Sequence, residues 1–167
     1  VSDDVSAILQ DHRINGNQCI KPPAPKYVIE GENLRVTDWS DFDVFVLRQW
    51  QKFGICNFTV PILGMLGDNS GWFKDGQRKL FGEPLFSERA RNLAGQYARQ
   101  FHEHWREAFP PQLRYFSYIY DEPAPKVYAE LNRLTGEIKR QAPDFRFFTP
   151  HTVDPELPHF TVFAVPF

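Results

Sequence analysis

The sequence has little cysteine, no long apolar run and no block of charge of one sign. Cys19 and Cys56 are its only cysteines, and both stand in apolar surroundings without CxxC spacing. Their number excludes a disulfide framework, and we expect buried free thiols. No stretch reaches the about eighteen apolar residues that a membrane span requires. Acidic and basic residues are mixed and the formal net charge is −2, so no nucleic-acid or anionic-membrane surface is indicated.

Phosphate-binding fingerprints are also missing. The chain contains neither GxGxxG nor GxxxxGK[ST], so a dinucleotide or P-loop cofactor site is not indicated, and we expect no cofactor. Aromatic residues, in contrast, are abundant: they make up 16% of the chain, and Phe alone occurs 16 times. This surplus predicts a folded domain with a large core, and it also suits a ligand with flat apolar faces, such as a sugar.

Helix and strand patterns alternate along the chain. Leu93, Tyr97, Phe101 and Trp105 recur every four residues and predict the core face of a long helix that begins at Ser87. The other predicted helices are Val5–His12, Asp41–Lys52 and Lys126–Arg140. The predicted strands are Asn17–Ile20, Ile55–Val60, Arg114–Tyr120, Phe145–Thr149 and Phe160–Val165.

Strands that alternate with helices pair in parallel through crossover helices. A doubly wound open sheet and a (β/α) barrel both fit this order. Since a complete eight-unit barrel needs ~250 residues, we expect residues 1–167 to be a single, truncated piece of a TIM barrel with about five parallel strands. Its open sheet edges would associate with the rest of the barrel or with another copy of the chain.

The connections differ in length at the two ends of the predicted strands. Helix-to-strand turns are short, whereas Lys21–Thr37 and Pro61–Phe86 are long, irregular strand-to-helix segments. In (β/α) folds the active site lies where the strands end. We therefore expect the functional face there.

Arg114–Tyr120 is the clearest strand and runs directly into Asp121-Glu122-Pro123. Two carboxylates at a strand end suit glycoside cleavage, in which an acid protonates the leaving oxygen. By strand alternation, Tyr118 and Tyr120 lie on the face that carries Glu122 and would form aromatic walls. The competing interpretation is structural: Asp121 would cap the following helix, and Glu122 would interact with its dipole.

The run RYFSYIYDEP and the following VYAELNRLTGEIKRQAPDFR resemble glycoside hydrolase family 123 and related uncharacterised barrel domains. The preceding LFGEPLFSERARNLAGQYARQFHEHWRE is similar to the long helix of that family. HRIN and the closing strand with Pro166 are similar to other parts of the family pattern. The resemblance covers most of the chain, and YxYDEP is its most specific part.

The resemblance implies exo-acting hydrolysis of a terminal β-linked N-acetylgalactosamine with retention. The acetamido oxygen of the sugar would attack the anomeric carbon, Glu122 would be the general acid/base, and Asp121 would orient the acetamido group. It also implies a secreted or extracytoplasmic protein; the residues themselves indicate no compartment. A non-catalytic carbohydrate-binding or structural domain remains the alternative, as does a conventional retaining glycosidase with its nucleophile on a later strand.

Other candidate residues carry weaker signals. His151 follows the predicted strand Phe145–Thr149, the fifth unit of the barrel pattern, and could hydrogen-bond a sugar hydroxyl. Trp72 could stack on a sugar ring from its glycine-rich loop. A solvated loop histidine and a loop anchor are the competing interpretations. His102-Glu103-His104 lacks the spacing of a helical metal motif, so no metal site is predicted.

Overall fold

The structure is a computed structural model, and it describes residues 21–64, 66–68, 78–149, 153–160 and 162–163, with residues 4, 6 and 7. The helices are α1 (Ser40–Phe53), α2 (Glu88–Ala108) and α3 (Pro125–Gln141). The strands are β1 (Lys26–Glu30), β2 (Asn33–Asp38), β3 (Asn57–Thr59), β4 (Gly67–Asp68), β5 (Lys79–Leu80), β6 (Glu83–Pro84), β7 (Arg114–Tyr118), β8 (Tyr120–Asp121), β9 (Phe147–Thr149) and β10 (Val162–Phe163).

The central sheet is parallel and open. Strands β3, β7 and β9 lie side by side, the two-residue β10 extends them, and the order is β10-β9-β7-β3. The chain passes from β3 to β7 by way of α2 and from β7 to β9 by way of α3. Each of these crossovers contains a helix, as parallel pairing requires.

The predicted TIM barrel is wrong. Within the described residues, the chain is a small α/β structure whose main sheet has three strands and a short fourth, not about five strands of a barrel. Lys21–Thr37, predicted as an irregular loop, contains the antiparallel hairpin β1–β2. The prolines at 22, 23 and 25 suggested irregular backbone, but they precede the first strand. Gly31, with φ of 59°, then supplies the left-handed backbone of the tight turn. The predicted strand Asn17–Ile20 lies outside the described residues.

The three helix predictions that fall on described residues are confirmed to within about two residues. Helix α1 ends at Gly54, which adopts φ of 66° and donates its N–H to the last turn. Helix α2 begins at Ser87, whose hydroxyl accepts a hydrogen bond from the Ala90 N–H at 3.1 Å. None of the described helices is long and apolar enough to cross a membrane.

The core is an aromatic cluster centred on the predicted stripe of α2. Phe101 is 1% exposed, and its ring contacts the rings of six other residues. These are Trp39, Phe42, Tyr97, Trp105, Tyr115 and Phe145, with centroid separations of 5.2–6.4 Å. Helix α2 thus links α1, β7 and the turn before β9 in one apolar core.

Two glutamines of α2 bind the free edge of β2. The Gln96 side chain accepts from the Leu34 N–H at 2.7 Å and donates to the Glu32 carbonyl at 2.8 Å. One helical turn later, Gln100 accepts from the Val36 N–H at 2.9 Å and donates to the Leu34 carbonyl at 2.8 Å. The two amides therefore replace a neighbouring strand and hold the hairpin against the helix.

Candidate functional site at the end of β7 and β8

The strand that leads to the carboxylate pair is interrupted once. Strand β7 ends at Tyr118, Ile119 is fully buried outside the ladder, and pairing resumes at Tyr120. The chain that follows β3 runs alongside: the Leu66 N–H donates to the Ile119 carbonyl at 2.9 Å, and β4 pairs in parallel with β8. Two parallel segments thus continue beyond the main sheet as far as Asp121.

Asp121 is half-buried and bonded to the strand that precedes it. The Tyr118 hydroxyl donates a hydrogen bond to its carboxylate. Tyr118 is buried, with its ring against Phe148 at a centroid distance of 5.1 Å. Because packing fixes the ring, the bond holds the Asp121 carboxylate in one orientation.

Glu122 is exposed at the start of the connection to α3. Its φ is 43°, a left-handed backbone that costs a residue with a side chain about 1–2 kcal/mol. Within the described part of the chain, its carboxylate has no hydrogen-bond or ion-pair partner. The carboxylate is therefore free to meet a ligand.

The carboxylates do not cap α3. The cap residue of that helix is Ala124, which offers no side-chain hydrogen bond, and Pro125 occupies the first turn. The structural interpretation of Asp121 as a helix cap is therefore wrong, because its carboxylate is bound by Tyr118 instead.

The two predicted aromatic walls lie in different cavities. Tyr118 lines a cavity of about 160 Å³ with Thr59, Ile62 and Gly64, at the carboxyl end of β3. Tyr120 lines a cavity of about 450 Å³ formed with the start of α2 and the first turns of α3. The break at Ile119 separates them, since regular alternation would have placed both rings on one face.

Ile62 shares the unusual backbone of Glu122 and was missed by sequence reasoning. Its φ is 68°, and it borders the Tyr118 cavity just after β3. Phe81 also has a positive φ, but it belongs to the tight turn between β5 and β6, where Gly82 is left-handed as well. Ile62 and Glu122 thus place left-handed backbone after two strand segments of the same site.

The weaker candidates do not join this site. His151 and Trp72 lie outside the described residues. The His102 ring is 2.6 Å from the Tyr115 hydroxyl, and the His104 ring is 2.7 Å from the Asp43 carboxylate. Since these two histidines bind different partners, they do not converge on one ion, and no group of metal-ligating residues occurs in the part that the structure describes.

A larger cavity of about 770 Å³ lies at the other end of the main sheet. It is bordered by the last turns of α2, the start of β7 and the turn before β9. Sequence reasoning missed this cavity, although Arg114 and Arg146, each near the start of a predicted strand, indicated positive charge at this end of the sheet.

No family model, curated protein or solved structure matches this chain.

Proposed function

We propose that the chain acts on a terminal β-linked 2-acetamido sugar, of the N-acetylgalactosamine type, as a retaining glycoside hydrolase. The observation that supports this most is the bond from Tyr118 to Asp121, beside the exposed Glu122 and next to a cavity at the strand ends. The resemblance of YxYDEP to glycoside hydrolase family 123 supplies the substrate class.

The two carboxylates have different surroundings, and this supports different roles. Asp121 is oriented by Tyr118, so its carboxylate can accept a hydrogen bond from the acetamido N–H and hold that group under the anomeric carbon. The acetamido oxygen would then form the bond to the anomeric carbon as the bond to the leaving oxygen breaks. No enzyme nucleophile is required, which is one of the exceptions to the two-carboxylate rule.

Glu122 is exposed, so its carboxylate can reach both a leaving oxygen and a water molecule. As an acid it would protonate the leaving oxygen. As a carboxylate it would then take a proton from the water that opens the cyclic intermediate. The left-handed backbone at Glu122 is consistent with this role, because strained backbone concentrates at functional sites.

The test is hydrolysis of para-nitrophenyl N-acetyl-β-galactosaminide by matched variants. Glu122→Gln should lower kcat by about 10²- to 10⁴-fold, the usual contribution of a general acid/base. Glu107→Gln, at an exposed glutamate of α2, should change nothing. Tyr118→Phe should lower kcat less than Glu122→Gln does, since it removes only the orienting bond. Turnover that survives Glu122→Gln unchanged would rule out the proposed mechanism.

A sugar-binding domain without catalysis is the second candidate. The observation that favours it is that the exposed Glu122 has no described hydrogen-bond or ion-pair partner to position its carboxylate. Calorimetry with N-acetylgalactosamine separates the two functions: binding that depends on Asp121 but gives no product with the aryl glycoside would identify a binding domain.

A further inference from the structure

The cavity of about 770 Å³ at the amino ends of β7 and β9 is rich in positive charge. Arg106, Arg114, Lys139 and Arg146 line it, whereas Asp144 is the only carboxylate among the described residues of the lining. These residues give the lining a formal charge of +3 (four cations and one anion), on a chain whose net charge is −2. The cavity therefore carries a local excess of positive charge that the rest of the chain does not share.

The arginines of this cavity differ from other arginines of α2 and α3. Arg99, Arg133 and Arg140 each form an ion pair with a glutamate three or four residues away. Arg106, Arg114 and Arg146, in contrast, have no ion-pair or hydrogen-bond partner for their side chains among the residues that the structure describes. Their guanidinium donors remain free for an external anion.

Lys139 and Asp144 lie close to these arginines. The Lys139 ammonium donates one hydrogen bond to the Pro143 carbonyl at 2.8 Å, which fixes it at the cavity and leaves other donors. Asp144 and Arg146 both act electrostatically on Lys139 and on Tyr115, so these groups border one space. One carboxylate cannot neutralise four cations.

The wall beside the cations is aromatic and apolar. Trp105, Phe109 and Tyr115 line it with only 5%, 7% and 7% of their surfaces exposed. The hydroxyl of Tyr115 is bonded to the His102 ring, which holds the Tyr115 ring in place. A fixed aromatic surface next to unpaired guanidinium groups suits a ligand with an apolar ring at one end and a charged group at the other.

We propose that this cavity binds a small molecule that carries a phosphate or sulfate group on an aromatic or similarly flat ring. Arg114 and Arg146, at the starts of neighbouring strands, would bind the oxygens of the anion, since guanidinium groups pair with such oxyanions in a bidentate manner. Trp105 and Phe109 would contact the ring. This site is independent of the carboxylate pair, which lies at the opposite ends of the strands.

The test is calorimetric titration with phenyl phosphate, phenyl sulfate, inorganic phosphate and phenol. We expect one site for the aromatic anions, with Kd on the order of 1 mM or tighter. Phenol and inorganic phosphate should each bind at least about tenfold more weakly, because phenol lacks the anionic group and inorganic phosphate lacks the aromatic ring. If the affinity for phenyl phosphate rises between pH 5 and 7, as the phosphate loses its second proton, the cavity is a phosphate site. If phenyl sulfate binds with equal affinity, the cavity is a general oxyanion site.

The variants Arg114→Gln and Arg146→Gln should each weaken the binding of phenyl phosphate about tenfold. Both residues are exposed, so folding should be retained, and circular dichroism checks it. Arg35→Gln, at an exposed arginine on β2, is the matched control and should bind like the parent protein. Affinity that Arg114→Gln and Arg146→Gln leave unchanged, or that Arg35→Gln lowers equally, would overturn the proposal. So would the absence of saturable binding. If sedimentation then showed self-association, a second copy of the chain would be the occupant of the cavity.

Discussion

Replacement of Gln100 by Leu should release the free edge of β2 from α2. The Gln100 amide makes two hydrogen bonds to this strand, one from the Val36 N–H and one to the Leu34 carbonyl. At about 0.5–1.5 kcal/mol net for each bond, their loss should lower the free energy that holds the hairpin by ~1–3 kcal/mol. The Val36 amide should then exchange with deuterium about 5- to 150-fold faster.

Native-state hydrogen exchange followed by NMR measures this effect at single amides. The Ser117 N–H provides an internal reference, because it is bonded to the Arg146 carbonyl in the main sheet and not to the hairpin. Gln51→Leu, at an exposed glutamine of α1, is the matched control and should change stability by less than about 0.5 kcal/mol. An unchanged exchange rate at the Val36 amide would refute the inference that the glutamine replaces a neighbouring strand.

Three further predictions concern the core, the pH dependence and the backbone of the candidate site. Phe101→Ala should destabilise the protein by ~3–5 kcal/mol in urea denaturation, because it empties the centre of the aromatic cluster, whereas Val44→Ala, at a residue 67% exposed, should have almost no effect. Burial lowers the pKa of His102 below its value of 6.5 in the unfolded chain. The unfolded state therefore binds the extra proton, and the free energy of unfolding should decrease as the pH drops below about 6.5. His102→Gln should make the free energy of unfolding depend less on pH in this range. Glu122→Gly should preserve or raise the melting temperature while it abolishes the proposed hydrolysis, and a clear loss of stability would show that the Glu122 side chain has a structural role.

The helices were predictable from the sequence because each carries its own signals. Apolar residues recur at helical spacing along α2, Ser87 offers a side-chain cap, and Gly54 supplies the left-handed residue that ends α1. These signals are local, and the structure keeps them. The hairpin was missed because the prolines before Lys26 suggested irregular backbone, and because the bonds that hold β2 come from Gln96 and Gln100, more than 60 residues away. A local sequence pattern does not identify such distant partners.

Strand alternation explains what could and could not be predicted at the candidate site. A regular strand places residues i and i+3 on opposite faces, so a bond between Tyr118 and Asp121 is not expected from the sequence. The break in the ladder at Ile119 changes the orientation of the chain, and the hydroxyl reaches the carboxylate. The same break sends Tyr120 to another cavity. The position of the carboxylates at a strand end was therefore predictable, whereas their surroundings depended on one irregular residue.

The backbone at Glu122 is where local preference and structure conflict most clearly. Glycine would adopt φ of 43° without strain, and glutamate adopts it at a cost of about 1–2 kcal/mol. No contact of the exposed side chain with a described residue offsets that cost. After Glu122, the buried Pro123 and the start of α3 at Pro125 fix the path of the chain. Packing therefore determines the turn. A carboxylate held there by its neighbours, with its oxygens free, is costly as a structural element and suited to a ligand, which agrees with the role proposed for Glu122.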